Sequence, residues 1–132
     1  MALLNWVEDY SVKINGIDSQ HKKLVDQINS LHEAMKAGKG KEVLTGTLNE
    51  LISYTSYHFS TEEKLMQQNN YPGYGQHKSE HDEFTKKVID FNEKFKSGSV
   101  FISQEVIFFL KDWLVGHIQG TDKKYTPYLA GK

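Results

Sequence analysis

Residues 77–81 read HKSEH and match H-x-x-E-H, a pattern of certain zinc peptidases in which two histidines bind the metal and the glutamate acts as a base. The chain has six histidines and no cysteine, so a transition-metal site here would be built from imidazole and carboxylate rather than from thiolate. The other four histidines decide whether HKSEH is a peptidase motif or part of a larger site.

Four amphipathic helices are predicted to position these histidines. Apolar residues recur at intervals of three and four, and AGKGK (37–41), NNYPGYG (69–75) and KSGS (96–99) separate the periodic segments. Short connections predict an all-α, antiparallel up-down-up-down bundle over residues 18–122, with an N-terminal arm (1–17) and a C-terminal tail (123–132). The apolar stripes are Leu24, Ile28, Leu31 and Met35 after an Asp18 cap; Leu44, Leu48, Leu51 and Leu65; Phe84, Val88, Phe91 and Phe95; and Ile107, Leu110 and Leu114 before a stop near Gly120.

Five histidines and a glutamate occupy core positions on these stripes. An uncompensated buried polar group costs about 1–3 kcal/mol, which argues against six unrelated ones. In an antiparallel bundle the start of helix one, the end of helix two, the start of helix three and the end of helix four meet at one level. The inward residues at that level are His21, His58, Glu62, His77, His81, His117 and, beyond the last histidine, Asp122.

This ligand set is too large for a peptidase zinc, which takes three protein ligands and a water. Two six-coordinate ions fit it: five imidazoles, two bridging carboxylates and one bridging oxygen leave a single position open for a small ligand. Glu80 and Glu63 are each offset by about 100° from an inward neighbour, so both are expected to face water. The peptidase match is therefore interpreted as a coincidence.

The motifs IDSQH, HFSTEEKLM, HKSEH and HIQGTD together resemble the hemerythrin family from Trp6 to Asp122. The resemblance implies two iron ions per chain with an oxo or hydroxo bridge, and reversible dioxygen binding for carriage, storage or delivery rather than catalysis. It assigns His77, His81 and His117 to one iron. It assigns His21 and His58 to the other, which carries the open position, and makes Glu62 and Asp122 the bridges.

Two alternative functions remain at this level. A di-iron enzyme acting on peroxide or nitric oxide is disfavoured. Oxygen-activating bundles have a glutamate three residues before a metal-binding histidine, and no histidine of this chain has one. An oxygen- or iron-sensing module would need a separate partner. The formal charge of −1 and pI near 6.6 give no electrostatic reason to expect nucleic acid or an anionic membrane as a partner. Membrane insertion is not expected, because the apolar run VIFFLKDWLV is broken by Lys111 and Asp112 and is too short to span a bilayer. A cytoplasmic monomer is expected, with dioxygen and an oxygen-consuming protein as partners.

Three single residues carry further predictions. Asp122 lies five residues after His117, a rotation of about 140° on a regular helix, so the chain must widen locally to i→i+5 or end its helix around Gly120. Leu114, one turn before His117, is predicted to line the oxygen pocket. His32 shares the inward stripe of His21 but lies roughly 16 Å along the axis, so it is not a ligand of this site.

Overall fold

The computed structural model describes residues 4–38, 41–97 and 104–129, and these fold into an all-α bundle. A short 3-10 turn, Glu8–Tyr10, precedes helices α1 (Asn15–Lys36), α2 (Lys41–Gln68), α3 (Tyr74–Lys96) and α4 (Gln104–Gly116). The predicted four-helix fold is confirmed. Residues 39–40 of AGKGK, 98–99 of KSGS, the first three residues of the arm and the last three of the tail lie outside the described residues.

Contacts between side chains show that neighbouring helices are antiparallel. The amide of Asn92, near the end of α3, donates to Asn49, near the start of α2, at 2.9 Å. At the other end of this pair, Glu63 of α2 meets His81 of α3. Between α3 and α4, Phe84 stacks on Trp113 with ring centroids 3.9 Å apart. Phe91 and Phe109 form a second contact of this pair, at 5.8 Å, and His21 near the start of α1 lies 4.5 Å from His58 of α2 between ring centroids. The ends of α2 and α4 therefore meet the starts of α1 and α3, as predicted.

Helix α1 begins at Asn15, so the prediction that Asp18 caps it is wrong. Asp18 lies instead in the first turn, where a carboxylate is stabilised by the helix dipole. Its two oxygens accept hydrogen bonds from Ser11 Oγ at 2.6 Å and from the Val12 backbone amide at 2.9 Å. The carboxylate thus fastens the arm to the helix.

The end of α4 changes helix type, as the spacing of its last ligands requires. The α-helix stops at Gly116, and His117–Thr121 forms one turn of π-helix before a 3-10 turn over Asp122–Tyr125. The predicted i→i+5 widening is confirmed. The segment assigned to the C-terminal tail packs back on the bundle: Tyr125 and Leu129 are buried, and a short helix, α5, spans Thr126–Leu129.

Apolar side chains dominate the remainder of the interior, including Leu31, Leu48 and Ile107 at 1% exposure or less, and His32 and Asn92 are buried with them. No helix among the described residues is long and apolar enough to cross a membrane. The bundle thus has two unlike ends, one packed with hydrocarbon and one with imidazole and carboxylate.

Candidate metal centre

The structure brings all seven predicted side chains together at one end of the bundle, each at 5% exposure or less. They form two overlapping groups, and within each group one potential ligand atom per residue lies within 4.8 Å of all the others. Glu62 and Asp122 belong to both groups. The three-histidine group adds His77, His81 and His117, and the two-histidine group adds His21 and His58.

Asp122 has one oxygen on each side of the centre. Its Oδ1 lies 2.9 Å from His77 Nε2 and 3.0 Å from His117 Nε2, in the three-histidine group. Its Oδ2 lies 3.1 Å from His21 Nε2, in the two-histidine group. The π-turn makes this possible because it rotates Asp122 back to the face that His117 occupies. The carboxylate therefore has the placement of a bridge between two cations.

Glu62 lies between the two groups, and a tyrosine hydroxyl binds the carboxylate oxygen that does not face the histidines. Its Oε1 is 2.9 Å from His58 Nε2 and 3.5 Å from His81 Nε2. Its Oε2 accepts a short hydrogen bond from the hydroxyl of Tyr125, a residue with no exposed surface. The Tyr125 ring also stacks on His77 with centroids 5.5 Å apart. Tyr125 thus fixes the orientation of a carboxylate that faces both histidine groups.

The donor set fits metal ions better than it fits a hydrogen-bond network. His117 Nε2 lies 3.0 Å from His81 Nε2 and 3.1 Å from His77 Nε2, so three ring nitrogens converge on one point. Two ring nitrogens this close can have at most one proton between them, so hydrogen bonds alone cannot satisfy all three. A metal cation accepts a lone pair from each nitrogen. Both Asp122 oxygens and Glu62 Oε1 are also buried without a hydrogen-bond partner among the described residues.

Burial and charge shift the pKa values of the groups in the centre. Burial alone would raise the pKa of Asp122, but the charge and contacts of His117 and the other imidazoles around it hold that pKa well below its usual range. Burial lowers the pKa of His81 to about 3. Burial also acts to lower the pKa of His21 and of His117, but Asp122 outweighs it and raises both. A cation entering the centre would compete with protons for these two rings.

Outer contacts of the histidines correct two predictions. Glu63 does not face water: its Oε2 lies 3.0 Å from His81 Nδ1, and its side chain is 19% exposed. Glu80 of the HKSEH motif is half-buried, accepts a hydrogen bond from Thr121 Oγ1 at 2.8 Å, and has Oε1 3.4 Å from His117 Nδ1. The 100° offset turns each carboxylate off the inward stripe, but these long side chains still reach the outer edge of a neighbouring imidazole.

Two further functional residues were missed by the sequence analysis. Gln20 accepts a hydrogen bond from His58 Nδ1 at 2.7 Å, which leaves His58 Nε2 free to face the centre. Gln20 could not be predicted, because its position next to His21 does not belong to the apolar stripe of the helix. Tyr125 could have been found, since it lies three residues after Asp122 and so shares its face in a helical segment. His32 is buried but belongs to neither histidine group among the described residues, as predicted.

Aromatic rings form the apolar side of the centre. Phe59 stacks on His81 with centroids 3.7 Å apart, and Trp113 stacks on His117 at 4.3 Å. Both rings also line an apolar internal cavity of about 20 Å³, to which Leu114 contributes. Leu114 itself is 5% exposed. The cavity exceeds the ~10–15 Å³ that one water-sized molecule needs, but its lining gives water few polar partners.

Comparisons with known proteins agree with this geometry. A model of the hemerythrin HHE cation binding domain matches residues 12–129. Bacteriohemerythrin of Methylococcus capsulatus is 36% identical over 131 residues, covering 98% of this chain and 99% of that one. A hemerythrin-like protein of Naegleria gruberi is 32% identical over 125 residues, covering 95% and 92%. A crystal structure of wild-type hemerythrin aligns with a TM-score of 0.92 at 35% identity, covering 98% of this chain and 100% of that one. The chain therefore belongs to the hemerythrin family.

Proposed function

We propose that this chain binds dioxygen reversibly at a centre of two iron ions and serves as a carrier, store or source of oxygen. The hemerythrin family binds non-heme iron and dioxygen. In the proposal, the three-histidine group binds one iron, the two-histidine group binds the other, and Glu62 and Asp122 bridge them. The observation that carries it is the placement of the two Asp122 oxygens toward different histidine groups, 2.9 Å and 3.1 Å from His77 and His21.

Unequal numbers of histidines give the proposed centre its open position. The three-histidine group supplies one imidazole more than the two-histidine group, while both share the same two carboxylates. When bound, the ferrous pair would supply the two electrons with which dioxygen is held reversibly. The protein's part is to position the histidines, fix the carboxylates and exclude water.

The inner surface has little to support turnover. Its ring nitrogens and carboxylate oxygens face one another within the centre, and the hydroxyl of Tyr125 donates to Glu62. Phe59 and Trp113, which stack on His81 and His117, line an apolar cavity together with Leu114. A site walled in this way favours binding and release of a small apolar molecule over acid–base catalysis, so we expect carriage rather than turnover.

The test is an iron count followed by an oxygen cycle. Protein expressed with ample iron should carry two irons per chain. Its absorption spectrum should change on exposure to oxygen after anaerobic reduction and return to the starting spectrum after argon purging. One tightly bound zinc per chain would overturn the di-iron assignment. Continuous oxygen consumption in the presence of reductant, without a return to the starting spectrum, would instead indicate an enzyme.

Leu114 is proposed to shield the oxygen pocket as well as to pack the core. It lines the cavity together with Phe59 and Trp113, which stack on His81 and His117. We expect Leu114→Ala to lower the free energy of unfolding by about 2–5 kcal/mol. If Leu114 also excludes water, the variant should keep both irons but autoxidise several-fold faster and release oxygen at an altered rate.

Ile107→Ala is the matched control for Leu114→Ala. Ile107 is fully buried on the same helix but does not line this cavity. It should therefore lose comparable stability with unchanged oxygen kinetics. Unchanged kinetics in folded, fully metallated Leu114→Ala protein would leave Leu114 with a packing role alone. The cytoplasmic location, the monomeric state and an oxygen-consuming partner stay predictions of the sequence.

A further inference from the structure

Two carboxylates stand behind the three-histidine group. Glu63 Oε2 lies 3.0 Å from His81 Nδ1, at hydrogen-bond distance. Glu80 Oε1 lies 3.4 Å from His117 Nδ1 and acts through its charge, since His117 Nδ1, like His77 Nδ1, has no hydrogen-bond partner among the described residues. Both histidines are almost fully buried, whereas the glutamates are 19% and 34% exposed. Each carboxylate is thus positioned on the outer face of an imidazole whose inner nitrogen faces the centre.

In the two-histidine group, no carboxylate among the described residues lies within ion-pair distance of an outer ring nitrogen, although the charge of Asp18 acts on His21 from further away. His58 Nδ1 donates to the neutral amide oxygen of Gln20 at 2.7 Å, and the Gln20 amide nitrogen lies 3.4 Å from Thr61 Oγ1. Nδ1 of His21 is buried without a hydrogen-bond partner among the described residues. The outer nitrogens of His81 and His117 therefore face a carboxylate, whereas that of His58 faces a neutral amide.

An anionic partner strengthens a metal-binding imidazole in two ways. It accepts the outer N–H, which fixes the tautomer and makes the inner nitrogen more basic, and its charge attracts the cation through a poorly polarisable interior. A neutral amide also fixes the tautomer but contributes no net charge. The two halves of the centre should therefore differ in affinity by more than the extra imidazole explains.

From this charge difference we infer that Glu63 and Glu80 make the three-histidine group the tighter half of the centre, which loads first and stabilises the higher metal charge. Neutral Gln20 keeps the two-histidine group the weaker half, with the exchangeable position. The inference rests on the proposed two-metal function and deepens it: Glu63, Glu80 and Gln20 are positioning residues that act through His81, His117 and His58.

Metal-free protein titrated with Co²⁺ under anaerobic conditions gives a readout independent of oxygen binding. Wild-type protein should show two binding steps in the Co²⁺ absorption bands, and His58→Gln should abolish the weaker one. Glu63→Gln and Glu80→Gln should each weaken the tighter step about 10- to 100-fold and leave the weaker step unchanged. The amide oxygen introduced by Glu80→Gln would still accept the Thr121 hydrogen bond, so this substitution removes charge while keeping the contact.

The opposite change and a matched control complete the design. Gln20→Glu should raise the Co²⁺ affinity of the weaker step and reduce the difference in affinity between the two steps. Glu83→Gln removes a charge from an exposed position on the same helix as Glu80 and should alter neither step. Thermal unfolding of each metal-free variant separates a tuning role from a folding role, because tuning leaves the metal-free midpoint within a few degrees of wild type.

The ways in which the inference can fail are distinguishable. Two wild-type steps that none of the glutamate and glutamine variants moves would overturn the inference and leave the proposed function standing, since the difference in affinity would then follow from ligand number alone. Equal weakening of both steps, with a lower metal-free unfolding midpoint, would also overturn it. A single Co²⁺ per wild-type chain would contradict the two-metal centre itself.

Discussion

The two ends of the bundle are equally buried but are held together by different forces. At one end Leu31, Leu48 and Ile107 lie at 1% exposure or less among other hydrocarbon side chains. At the other, Asp122 and Glu62 have no exposed surface and are surrounded by imidazoles. Burial of hydrocarbon stabilises the fold directly, at about 25 cal/mol per Å². Burial of ionised carboxylates costs free energy unless a cation or hydrogen bonds compensate.

The apolar end should therefore fold the bundle, and the polar end should depend on what it binds. Metal binding to the folded state alone adds to the free energy of unfolding. This contrast can be tested by changing one end at a time and measuring both stability and metal content. The largest effects are expected where one residue serves both histidine groups.

Glu62→Ala should produce the largest change. The carboxylate contacts His58 in one group and His81 in the other, so its removal takes a ligand from both halves of the centre. We expect loss of both irons, measured by elemental analysis, together with a lower unfolding midpoint. Glu50→Ala, at an exposed position on the same helix, is the control and should keep both irons. Two tightly held irons in the Glu62 variant would contradict its bridging role.

Ile107→Ala tests the apolar end. Ile107 is fully buried, and its truncation should lower the free energy of unfolding by about 2–5 kcal/mol, because a cavity replaces well-packed methyl and methylene groups. Denaturant titrations of iron-loaded and metal-free protein should show the same loss. The iron content should stay that of the wild type. Loss of iron in a folded Ile107 variant would mean that the two ends are more strongly coupled than their packing indicates.

The sequence predicted the inner layer of the site better than its outer layer. His21, His58 and His81 lie on apolar stripes, and the 3.6-residue period therefore reports the direction of their side chains. The antiparallel topology then requires that they meet. Asp122 could be predicted although its five-residue spacing from His117 is irregular, because a regular helix would turn it away from the face of His117. The π-turn at His117–Thr121 resolves that spacing.

Outer-layer residues were missed because periodicity reports where Cβ points and not how far a side chain reaches. Glu63 and Glu80 start from outward positions and still contact the outer nitrogens of imidazoles. The packing of residues 122–129 was missed for another reason. That segment is short and changes helix type, so it shows no repeating apolar stripe, although Tyr125 and Leu129 are buried.

Tyr125→Phe should have an intermediate effect, because it removes one hydroxyl and keeps the ring. The phenol donates to Glu62 Oε2, and a buried hydrogen bond to a charged group contributes about 1.5–3 kcal/mol. Stability of the metal-free protein should fall by an amount in this range. Iron should still bind, but its absorption bands should change, because the Glu62 carboxylate loses the hydrogen bond that fixes its orientation. Tyr128→Phe, at a largely exposed tyrosine on the same segment, should leave both unchanged.

The smallest effect is expected for a buried polar residue remote from the metal ligands. Asn92 is 6% exposed and donates a hydrogen bond to Asn49 at 2.9 Å, while its own side-chain oxygen is buried without a partner among the described residues. Asn49 lies at an exposed position, so water can replace the lost donor. Asn92→Leu removes an unsatisfied oxygen and adds apolar volume, and we expect a change in stability within about 1 kcal/mol of zero.

Asn92→Asp is the informative counterpart, because it places a carboxylate at a position that is only 6% exposed. It should destabilise the protein above pH 6 and approach the wild type in acid, where the carboxylate is protonated. Urea titrations at pH 7 and pH 4 measure both effects. A loss of several kcal/mol in Asn92→Leu would show that this end also depends on polar pairing. If Asn92→Leu instead leaves the free energy of unfolding nearly unchanged while Glu62→Ala loses its metal, buried polar groups are essential only where a cation compensates for their burial.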